Sequence, residues 1–422
     1  MKKYIFYFLA ILLIFQFHTG LACSGYKLTI GNKTVLGSNE DAWRTTPHIW
    51  FEPSNKQNKY GAAFTGSRFD GANGYAPQSG MNEAGLAFER LASYHPLQKS
   101  ESNKKPITNQ TAFLKKILHH CKNVEEAQAM LNQYDRSTFI EDVFLYVDKD
   151  GKRLVVEPYS TTIGNEASYL ISNFCPSITS KEKALELERY RNGVHFLNKI
   201  KDSTDDFYRK LSDTMHVCRN KIGDGTLLTS IWNLRDKTIS LYFYHNYDSV
   251  IHFNLKDELL KGEHIYRIDK LFPTNTEFEK LKTYYTAKNN NLIALGLILL
   301  ALLLSSIAIY FLISSFHKNH SALQRIILIG TALINFTLTF YLYILFSNPN
   351  IYYFAAPYTT DNSFLNKLSY LPNTLLILII PMIYFNFGTN KPNQSNHSFT
   401  LNTLCYFILL AIFYYWKLYT FL

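Results

Sequence analysis

The sequence of residues 23–43 is CSGYKLTIGNKTVLGSNEDAW, and this stretch decides how the fold begins. Polar and apolar side chains alternate over residues 26–30 and again over 34–36, and a Gly-Asn-Lys turn separates the two segments. A β-hairpin is therefore predicted to start almost at Cys23. Because its second strand returns the chain towards the start, we expect Asp41 to lie close to Cys23.

The segment before Cys23 has the features of a secretion signal. Residues 1–3 are Met-Lys-Lys, residues 4–17 are apolar, and residues 19–22 end in small side chains. Residues 1–22 are therefore predicted to be removed, which makes Cys23 the first residue of the mature chain. Its thiol and a free α-amine then share one residue. The α-amine has a pKa of about 7.7–8.0, so it can take the proton from the thiol and activate a nucleophile.

Two other interpretations of Cys23 stay open from the N-terminus alone. A cysteine directly after a signal is also the residue that bacterial lipoproteins modify with lipid, and a cut elsewhere leaves Cys23 as an ordinary cysteine. Gly20 argues against lipidation, because a branched apolar residue is usual at that position of a lipoprotein signal. An isolated aspartate such as Asp41 also caps turns more often than it orients a nucleophile.

The composition of the 422-residue chain changes near Asn290. The sequence before it is mixed, charged and rich in aromatic residues, whereas long apolar runs with few charges follow it. These runs cover residues 292–316, 326–346, 371–387 and 401–419. The first two exceed the length that spans a bilayer and the last two are near the lower limit, so about four transmembrane helices are predicted.

The charges between these runs predict their orientation. Lys318 and Arg325 lie in the turn after the first run, whereas residues 349–366 contain no Lys or Arg. By the positive-inside rule, the turn is cytoplasmic and the N-terminal domain lies outside the cytoplasm. No Asp, Glu, Lys or Arg occurs inside the runs before Lys417, which favours an anchor or docking module over a transporter.

The charge and the cysteines exclude several classes of partner and site. The formal net charge is +10, but the basic residues are scattered and do not alternate with aromatics, so no nucleic-acid partner is expected. The basic segment 280–288 can attract anionic lipid headgroups. The five cysteines show no CxxC spacing, so neither a zinc site nor a disulfide framework is predicted, although there is room for one bridge among Cys121, Cys175 and Cys218.

The patterns between Cys23 and the apolar runs alternate between hairpins and helices. Residues 80–86, Gly-Met-Asn-Glu-Ala-Gly-Leu, predict a tight turn that leads into a strand, and residues 111–134 predict a helix that Asn123 breaks or recaps. Further strands are predicted at 139–148, 153–157, 168–172, 226–234 and 238–244, and further helices at 181–199 and 204–217. No regular βαβ period occurs, so the predicted class is α+β, with antiparallel sheets sandwiched by helices.

These patterns predict four parts of the chain. Residues 1–22 form the signal, 23–275 the exported domain, 276–291 a linker and 292–422 the membrane domain. The exported domain is long enough to bury a core of its own. The membrane domain tethers it, which makes membrane lipid an expected partner.

Four blocks of sequence, in this order, resemble one superfamily. They are Cys23 itself, residues 37–43, residues 80–86 and residues 172–176. Together they resemble the N-terminal nucleophile (Ntn) hydrolases of the linear amide C–N hydrolase group, which includes choloylglycine hydrolases, penicillin V acylases and acyl-CoA:6-aminopenicillanate acyltransferases. The resemblance covers about residues 23–272 and implies an αββα sandwich of two antiparallel sheets.

The resemblance also implies roles for four residues. Cys23 is the nucleophile with its own α-amine as the base, and Asp41 orients it. Asn173, in the Ser-Asn-x-x-Pro context of residues 172–176, helps to stabilise the tetrahedral oxyanion, and Arg189 lies near the nucleophile. No metal or organic cofactor takes part. On the residues alone, two alternatives stay open: Asn173 is a turn residue at the end of a strand, and Arg189 belongs to a solvated helix face.

Two positions depart from the family pattern. Ser38 stands where the Gly-Arg-Asn-x-Asp block of the family often has Arg, and Ala92 falls near the place where some members have Asn or Tyr. One half of the oxyanion hole therefore has no clear counterpart, and glycine-conjugated bile salts are not the expected substrate.

The sequence thus predicts a membrane-tethered enzyme that acts on a small molecule outside the cytoplasm. It cleaves a linear, non-peptide amide, such as an N-acyl amino acid, an acylated amine or a β-lactam side chain, through an acyl-enzyme on Cys23. Transfer of the acyl group to another amine uses the same residues. The alternative is a lipidated, non-catalytic membrane protein that uses the same fold to bind a ligand or assemble a complex.

Overall fold

The computed structural model describes residues 23–41, 45–98, 104–199, 202–219, 224–283, 290–317, 320–347, 368, 370–387, 395–416 and 418–419. These residues form two compact units that divide between Lys282 and Thr283. The predicted signal at 1–22, Trp43 and the predicted outward loop at 349–366 lie outside the described residues.

The first unit carries the strands. The first ten in the described ranges are β1 (Ser24–Ile30), β2 (Lys33–Glu40), β3 (His48–Glu52), β4 (Ala62–Gly66), β5 (Arg68–Phe69), β6 (Tyr75–Ala76), β7 (Ser79–Asn82), β8 (Leu86–Ala92), β9 (Lys105–Pro106) and β10 (Tyr134–Asp135). The next ten are β11 (Asp142–Asp148), β12 (Arg153–Val156), β13 (Thr161–Gly164), β14 (Ser168–Ser172), β15 (Cys218–Arg219), β16 (Asp224–Gly225), β17 (Leu228–Asn233), β18 (Thr238–Phe243), β19 (Ile251–Asn254) and β20 (His264–Arg267).

Helices occur in both units. Those before residue 290 are α1 (Gln110–His120), α2 (Val124–Leu131), α3 (Lys181–Ala184), α4 (Glu188–Lys199), α5 (Asp205–Met215), α6 (Leu255–Leu260) and α7 (Thr276–Thr283). Those after it are α8 (Asn291–Ser315), α9 (Ala322–Ser347), α10 (Leu371–Phe387) and α11 (Ser395–Tyr415). Short 3-10 turns lie at Gly71–Asn73, Arg136–Phe139 and Ile268–Lys270.

A six-stranded antiparallel sheet is built around the predicted hairpin. Its order is β14-β1-β2-β17-β18-β19. Strands β1 and β2 pair from Ser24 with Asn39 to Ile30 with Lys33, and the tight turn between them needs the positive φ of +57° that Gly31 adopts. The hairpin prediction is therefore confirmed.

An eight-stranded antiparallel sheet faces the first sheet. Its order is β13-β12-β11-β8-β7-β4-β3-β20. The hydroxyl groups of Ser79 on β7 and Ser230 on β17 lie 3.1 Å apart, and both residues are buried. The two sheets therefore pack against each other through small side chains at this level.

Helices cover the outer faces of both sheets. Ile117 of α1 shares a buried cluster with Phe88 of the eight-stranded sheet, whereas Leu211 of α5 shares one with Tyr26 and Ile231 of the six-stranded sheet. Burial of each such side chain contributes about 1.5–3 kcal/mol. The first unit is thus a four-layered αββα sandwich of the α+β class, which confirms the predicted fold.

Some predicted elements end differently in the structure. The segment 111–134 forms two helices, because the side chain of Asn123 accepts a 3.0 Å hydrogen bond from Glu126 N and caps the start of α2. The segment 181–199 likewise divides into α3 and α4. The strand predicted from Phe139 begins only at Asp142, since a 3-10 turn occupies the preceding residues.

The one disulfide for which the sequence leaves room, among Cys121, Cys175 and Cys218, does not form in the structure. Cys121 and Cys175 are both buried free thiols. Any bridge among Cys121, Cys175 and Cys218 needs at least one of these two sulfur atoms.

The second unit contains apolar helices. Three helices in the described ranges are long and apolar enough to cross a membrane: Asn291–Ser315, Ala322–Ser347 and His397–Tyr415. The third predicted span does form a helix, α10, but it has 17 residues and is shorter than the others. Helix α7 occupies the first half of the segment 276–291 that the sequence assigns to a linker. The membrane crossings and the domain bounds stay predictions.

A polar network lies inside the second unit. Asn335 Nδ2 on α9 donates a 2.7 Å hydrogen bond to Asn402 Oδ1 on α11. Tyr406, one turn farther along α11, donates its hydroxyl to Asn335 Oδ1, also at 2.7 Å. All three side chains are buried among apolar residues, so this network joins the two helices in an apolar setting.

Candidate active site

Cys23 lies at the start of the central hairpin. The next residue, Ser24, pairs with Asn39 of β2 on one side and with Ser172 of β14 on the other. Cys23 is only 4% exposed. The nucleophile predicted from the sequence is therefore held between two neighbouring strands in the interior of the sandwich.

Side chains from the end of β14 and from helix α4 fix the backbone of Cys23. Ser172 Oγ donates a 2.8 Å hydrogen bond to the carbonyl oxygen of Cys23. Arg189 Nε, on α4, donates to Ser172 Oγ at 2.8 Å and to the same carbonyl oxygen at 3.4 Å. The predicted arginine therefore contacts the predicted nucleophile, and helix α4 is the element that positions it.

Asn173 is held in one orientation by two partners. Its Oδ1 accepts a 2.6 Å hydrogen bond from Arg189 Nη2, and its Nδ2 donates a 2.6 Å hydrogen bond to the carbonyl oxygen of Ala92. The structure thus brings Cys23, Asn173 and Arg189 together. Ala92 contributes its backbone carbonyl oxygen to this contact.

Asp41 lies beside the Cys23 thiol, one residue beyond the end of β2, and is buried. Burial raises the pKa of Cys23 above its usual value, the negative charge of Asp41 raises it further, and a hydrogen bond from the Asp41 backbone N–H lowers it in part. The carboxyl groups of Glu40 and Glu89 also raise the pKa of Cys23. The thiol is therefore protonated at neutral pH unless a base takes its proton.

Two further buried carboxyl groups, those of Glu40 and Glu89, lie at the site, and neither was predicted from the sequence. Burial raises the pKa of Glu40 to about 7, Ser67 Oγ donates to it and lowers the pKa in part, and the charge of Asp41 raises it. Burial raises the pKa of Glu89 well above its usual value, with Ser38 lowering it in part and Asp41 raising it.

Glu89, on β8 of the eight-stranded sheet, faces β1, the strand that follows Cys23. A Cβ added to Gly25 would come within 1.6 Å of Glu89 Oε2, so the carboxyl group lies directly over this glycine. Gly25 pairs with Ser38 in the hairpin. A hydrogen bond between the side chains of Ser38 and Glu89 joins the two sheets at this point.

Gln78 is another neighbour that the sequence analysis did not single out. Its Nε2 lies 3.9 Å from Cys23 Sγ and donates a hydrogen bond to the carbonyl oxygen of Arg90. Gln78 lies two residues before the sequence block 80–86. Among the described residues, no group of three or more His, Cys, Asp or Glu side chains is placed to hold a metal ion.

Residues 30–248, just over half of the chain, match the family model for acyl-coenzyme A:6-aminopenicillanic acid acyl-transferase. The chain belongs to this family. The match confirms the Ntn-hydrolase resemblance predicted from the sequence. The matched segment contains Asp41, Asn173 and Arg189 and begins after Cys23, so the role of Cys23 as nucleophile stays a prediction.

Solved structures of amide hydrolases are also similar to this chain. Two variants of conjugated bile acid hydrolase from Clostridium perfringens share 17% and 16% sequence identity, cover 60% of this chain and 99% and 97% of their own, and have TM-scores of 0.45 and 0.43. Penicillin V acylase from Agrobacterium tumefaciens shares 16% identity over 56% of this chain and 87% of its own, with a TM-score of 0.43. No curated protein matches the chain.

Proposed function

We propose that this protein is a membrane-tethered amidohydrolase that cleaves linear, non-peptide C–N bonds of small molecules outside the cytoplasm. Cys23, released as the N-terminal residue, is the nucleophile. The observation that carries the proposal is the set of contacts at this residue. Ser172 and Arg189 hold its carbonyl oxygen, the backbone of Asp41 contacts its thiol, and Asn173 is fixed by Arg189.

The reaction begins with a proton transfer within Cys23. The thiol gives its proton to the free α-amine, and the sulfur electron pair forms a bond to the substrate carbonyl carbon. The carbonyl electrons move to the oxygen and form a tetrahedral oxyanion. When the carbonyl reforms, the C–N bond breaks, and the leaving nitrogen takes the proton from the α-ammonium. Water then attacks the thioester in the same way and releases the acid and the free thiol.

The burial of the site explains why the α-amine is needed. Burial and the charge of Asp41 raise the pKa of the thiol, so little thiolate is present at neutral pH without a base. Removal of residues 1–22 turns the neutral amide nitrogen of Cys23 into a basic amine on the same residue. Cleavage of the signal therefore supplies the base and the nucleophile in one step.

Asn173 is suited to stabilise the oxyanion. Its Nδ2 is oriented by the bond from Arg189 to Oδ1 and carries a second N–H besides the one that contacts Ala92 O. Preorganised donors of this kind lower the barrier because they need no reorganisation when the charge develops. Loss of one such donor costs about 2.7–4 kcal/mol of transition-state stabilisation.

Acyl transfer is a second candidate reaction, and the family name favours it. The chain matches an acyl-transferase family, and transfer of the acyl group to an amine instead of water needs no additional catalytic group. Partition of the thioester between water and an added amine such as 6-aminopenicillanic acid distinguishes the two reactions. Hydrolysis releases the free acid alone, whereas transfer yields the new amide.

The first experiment is intact mass spectrometry of the full-length protein purified in detergent. A mature N-terminus at an unmodified Cys23 is expected. The same preparation is then incubated with acyl amides of aminomethylcoumarin and with penicillin V, and the acyl-enzyme is sought on Cys23. A diacylglyceryl group on Cys23, or a different N-terminus, contradicts the catalytic proposal and supports the non-catalytic lipoprotein. A Cys23→Ala variant controls for contaminating hydrolases.

A further inference from the structure

We propose that the side-chain amide of Gln78 is the second donor to the oxyanion and acts together with Asn173. The inference rests on the proposed function, because an oxyanion forms only if Cys23 attacks a carbonyl group. It assigns a residue to the half of the oxyanion hole that has no clear counterpart in the sequence, since Ala92 carries no polar side chain.

The backbone of Gln78 is held on both sides. Its backbone N–H donates a 2.7 Å hydrogen bond to Thr65 O, and its carbonyl oxygen accepts a 2.7 Å hydrogen bond from Arg90 N. Gln78 therefore lies between β4 and β8, directly before β7 begins. The point from which its side chain starts is therefore fixed relative to both strands.

The side-chain amide of Gln78 is fixed as well. Its Nε2 donates to the carbonyl oxygen of Arg90. Because only the nitrogen of the amide can donate, this acceptor determines which end of the amide faces β8. A primary amide nitrogen carries two N–H groups, so one remains for the region of Cys23 Sγ, which lies 3.9 Å from Nε2.

The distance between Gln78 Nε2 and Cys23 Sγ suits a donor to the oxyanion rather than to the thiol. An effective donor lies about 2.7–3.1 Å from the position that the oxyanion occupies. In the tetrahedral adduct, two bonds separate that oxygen from the sulfur. A donor nitrogen in this role therefore lies somewhat farther from the sulfur than from the oxygen, and 3.9 Å is consistent with this arrangement.

Gln78 and Asn173 are anchored in the same manner. Gln78 Nε2 donates to Arg90 O and Asn173 Nδ2 donates to Ala92 O, two positions farther along β8. Carbonyl groups two residues apart in a strand point to the same edge, about 7 Å apart. Two primary amides are thus aligned along one edge of β8. Gln78 approaches the Cys23 thiol directly, and Asn173 is linked to Cys23 through Arg189.

The competing explanation is that Gln78 only closes the start of β7 by bonding Arg90. Both explanations predict that its loss destabilises the fold, so stability alone does not separate them. The distinguishing property is the carbonyl reaction. Attack on a carbonyl group forms an oxyanion, whereas alkylation of the thiol by iodoacetamide displaces iodide at a saturated carbon and forms none.

The test compares Gln78→Met with the wild-type protein and with Gln128→Met, all as full-length chains in detergent. Methionine has a similar length and shape but no N–H donor. Gln128 is a matched control, because its Nε2 also bonds within the protein, to Thr161 Oγ1 at 3.1 Å, on helix α2. The measurements are kcat and KM for an aminomethylcoumarin amide, the rate of Cys23 alkylation by iodoacetamide, and the melting temperature.

Gln78→Met is expected to lower kcat about 100-fold with little change in KM or in the alkylation rate, while Gln128→Met stays close to wild type. A kcat close to wild type in Gln78→Met overturns the inference. A parallel loss of kcat, alkylation rate and melting temperature also overturns it and assigns Gln78 the structural role. If the wild-type protein itself forms no acyl-enzyme, the proposed function fails and the inference fails with it.

Discussion

Arg189 Nη2 donates a 2.6 Å hydrogen bond to Oδ1 of Asn173. Because this oxygen is engaged, the nitrogen of the same amide is directed to the carbonyl oxygen of Ala92, 2.6 Å away. Through Nε, Arg189 also holds Ser172, which in turn bonds the carbonyl oxygen of Cys23. One guanidinium group thus orients the proposed oxyanion donor and the backbone of the proposed nucleophile at the same time.

The first prediction concerns this double role of Arg189. Replacement by Lys keeps the charge but cannot donate to Asn173 and Ser172 in the same fixed planar geometry. Arg189→Lys is therefore expected to lower kcat about 10–100-fold, and Arg189→Met to lower it further. Hydrolysis of an aminomethylcoumarin amide measures the effect. Arg191→Lys, on the same helix, is the matched control, because its guanidinium bonds Leu185 O instead. Equal activity of Arg189→Lys and wild type would contradict the assigned role.

Several features of the fold and of the site follow from local sequence signals. The alternation on both sides of Gly31 predicts the hairpin, and the hairpin alone brings Asp41 back to Cys23. Asn123 signals the start of a helix because its side chain is suited to cap one. These features depend on residues that are near each other in the chain, where periodicity and turn chemistry are informative.

Other features depend on how the two sheets face each other, and the sequence does not contain that information in local form. Glu89 lies over Gly25 although 64 positions separate them in the printed sequence. Gln78 reaches Cys23 from the opposite sheet. Neither contact has a fixed spacing or a residue pattern, because the packing of whole sheets decides which side chains meet.

The second prediction concerns the pH dependence of stability. The pKa of Glu40 is raised from 4.5 to about 7 in the folded protein, chiefly by burial. The folded state holds the proton of the Glu40 carboxyl group more tightly than the unfolded state does. The stability that this proton contributes is therefore present below pH 4.5 and is lost as the pH rises to about 7. At 1.36 kcal/mol per pKa unit, the loss is about 3 kcal/mol.

Glu40→Gln tests this pH dependence, because glutamine stays neutral and keeps an oxygen for Ser67. The melting temperature of the variant relative to wild type is expected to rise as the pH increases from about 4.5 to about 7 and to stay constant above that range. Glu141→Gln, at an exposed position, is the control. A melting-temperature difference that does not change with pH would show that Glu40 titrates normally in the folded protein.

The third prediction concerns the close approach of Glu89 to Gly25. A Cβ at position 25 would lie 1.6 Å from Glu89 Oε2 and 2.5 Å from its Cδ. Gly25→Ala therefore forces the buried carboxyl group to move and is expected to cost about 1–3 kcal/mol of stability. Thermal unfolding measures the change.

A double variant separates this steric effect from others. Removing the Glu89 side chain makes room for the new methyl group, so Gly25→Ala is expected to cost much less in a Glu89→Ala background than in the wild type. The coupling between the two substitutions in a double-mutant cycle is the quantity to measure. Strictly additive effects would show that the methyl group at position 25 meets a different neighbour.

The fourth prediction concerns the polar network in the second unit. Asn335 donates to Asn402 and accepts from Tyr406, with both hydrogen bonds at 2.7 Å and all three residues buried. Hydrogen bonds between helices in an apolar setting contribute about 0.6–2 kcal/mol. Tyr406→Phe removes one bond, whereas Asn335→Leu removes both and leaves two buried polar groups without their partner, so the second variant is expected to be the less stable.

Thr337→Val is the matched control for this pair of variants. Thr337 lies on the same helix, α9, but is exposed and bonds only Leu333 O within that helix. Unfolding of the full-length protein in detergent, followed by the loss of helical circular dichroism, gives the order of stability. The expected order is wild type, Thr337→Val, Tyr406→Phe and then Asn335→Leu. If Asn335→Leu is as stable as wild type, apolar packing alone holds α9 against α11, and the network contributes specificity of pairing instead of stability.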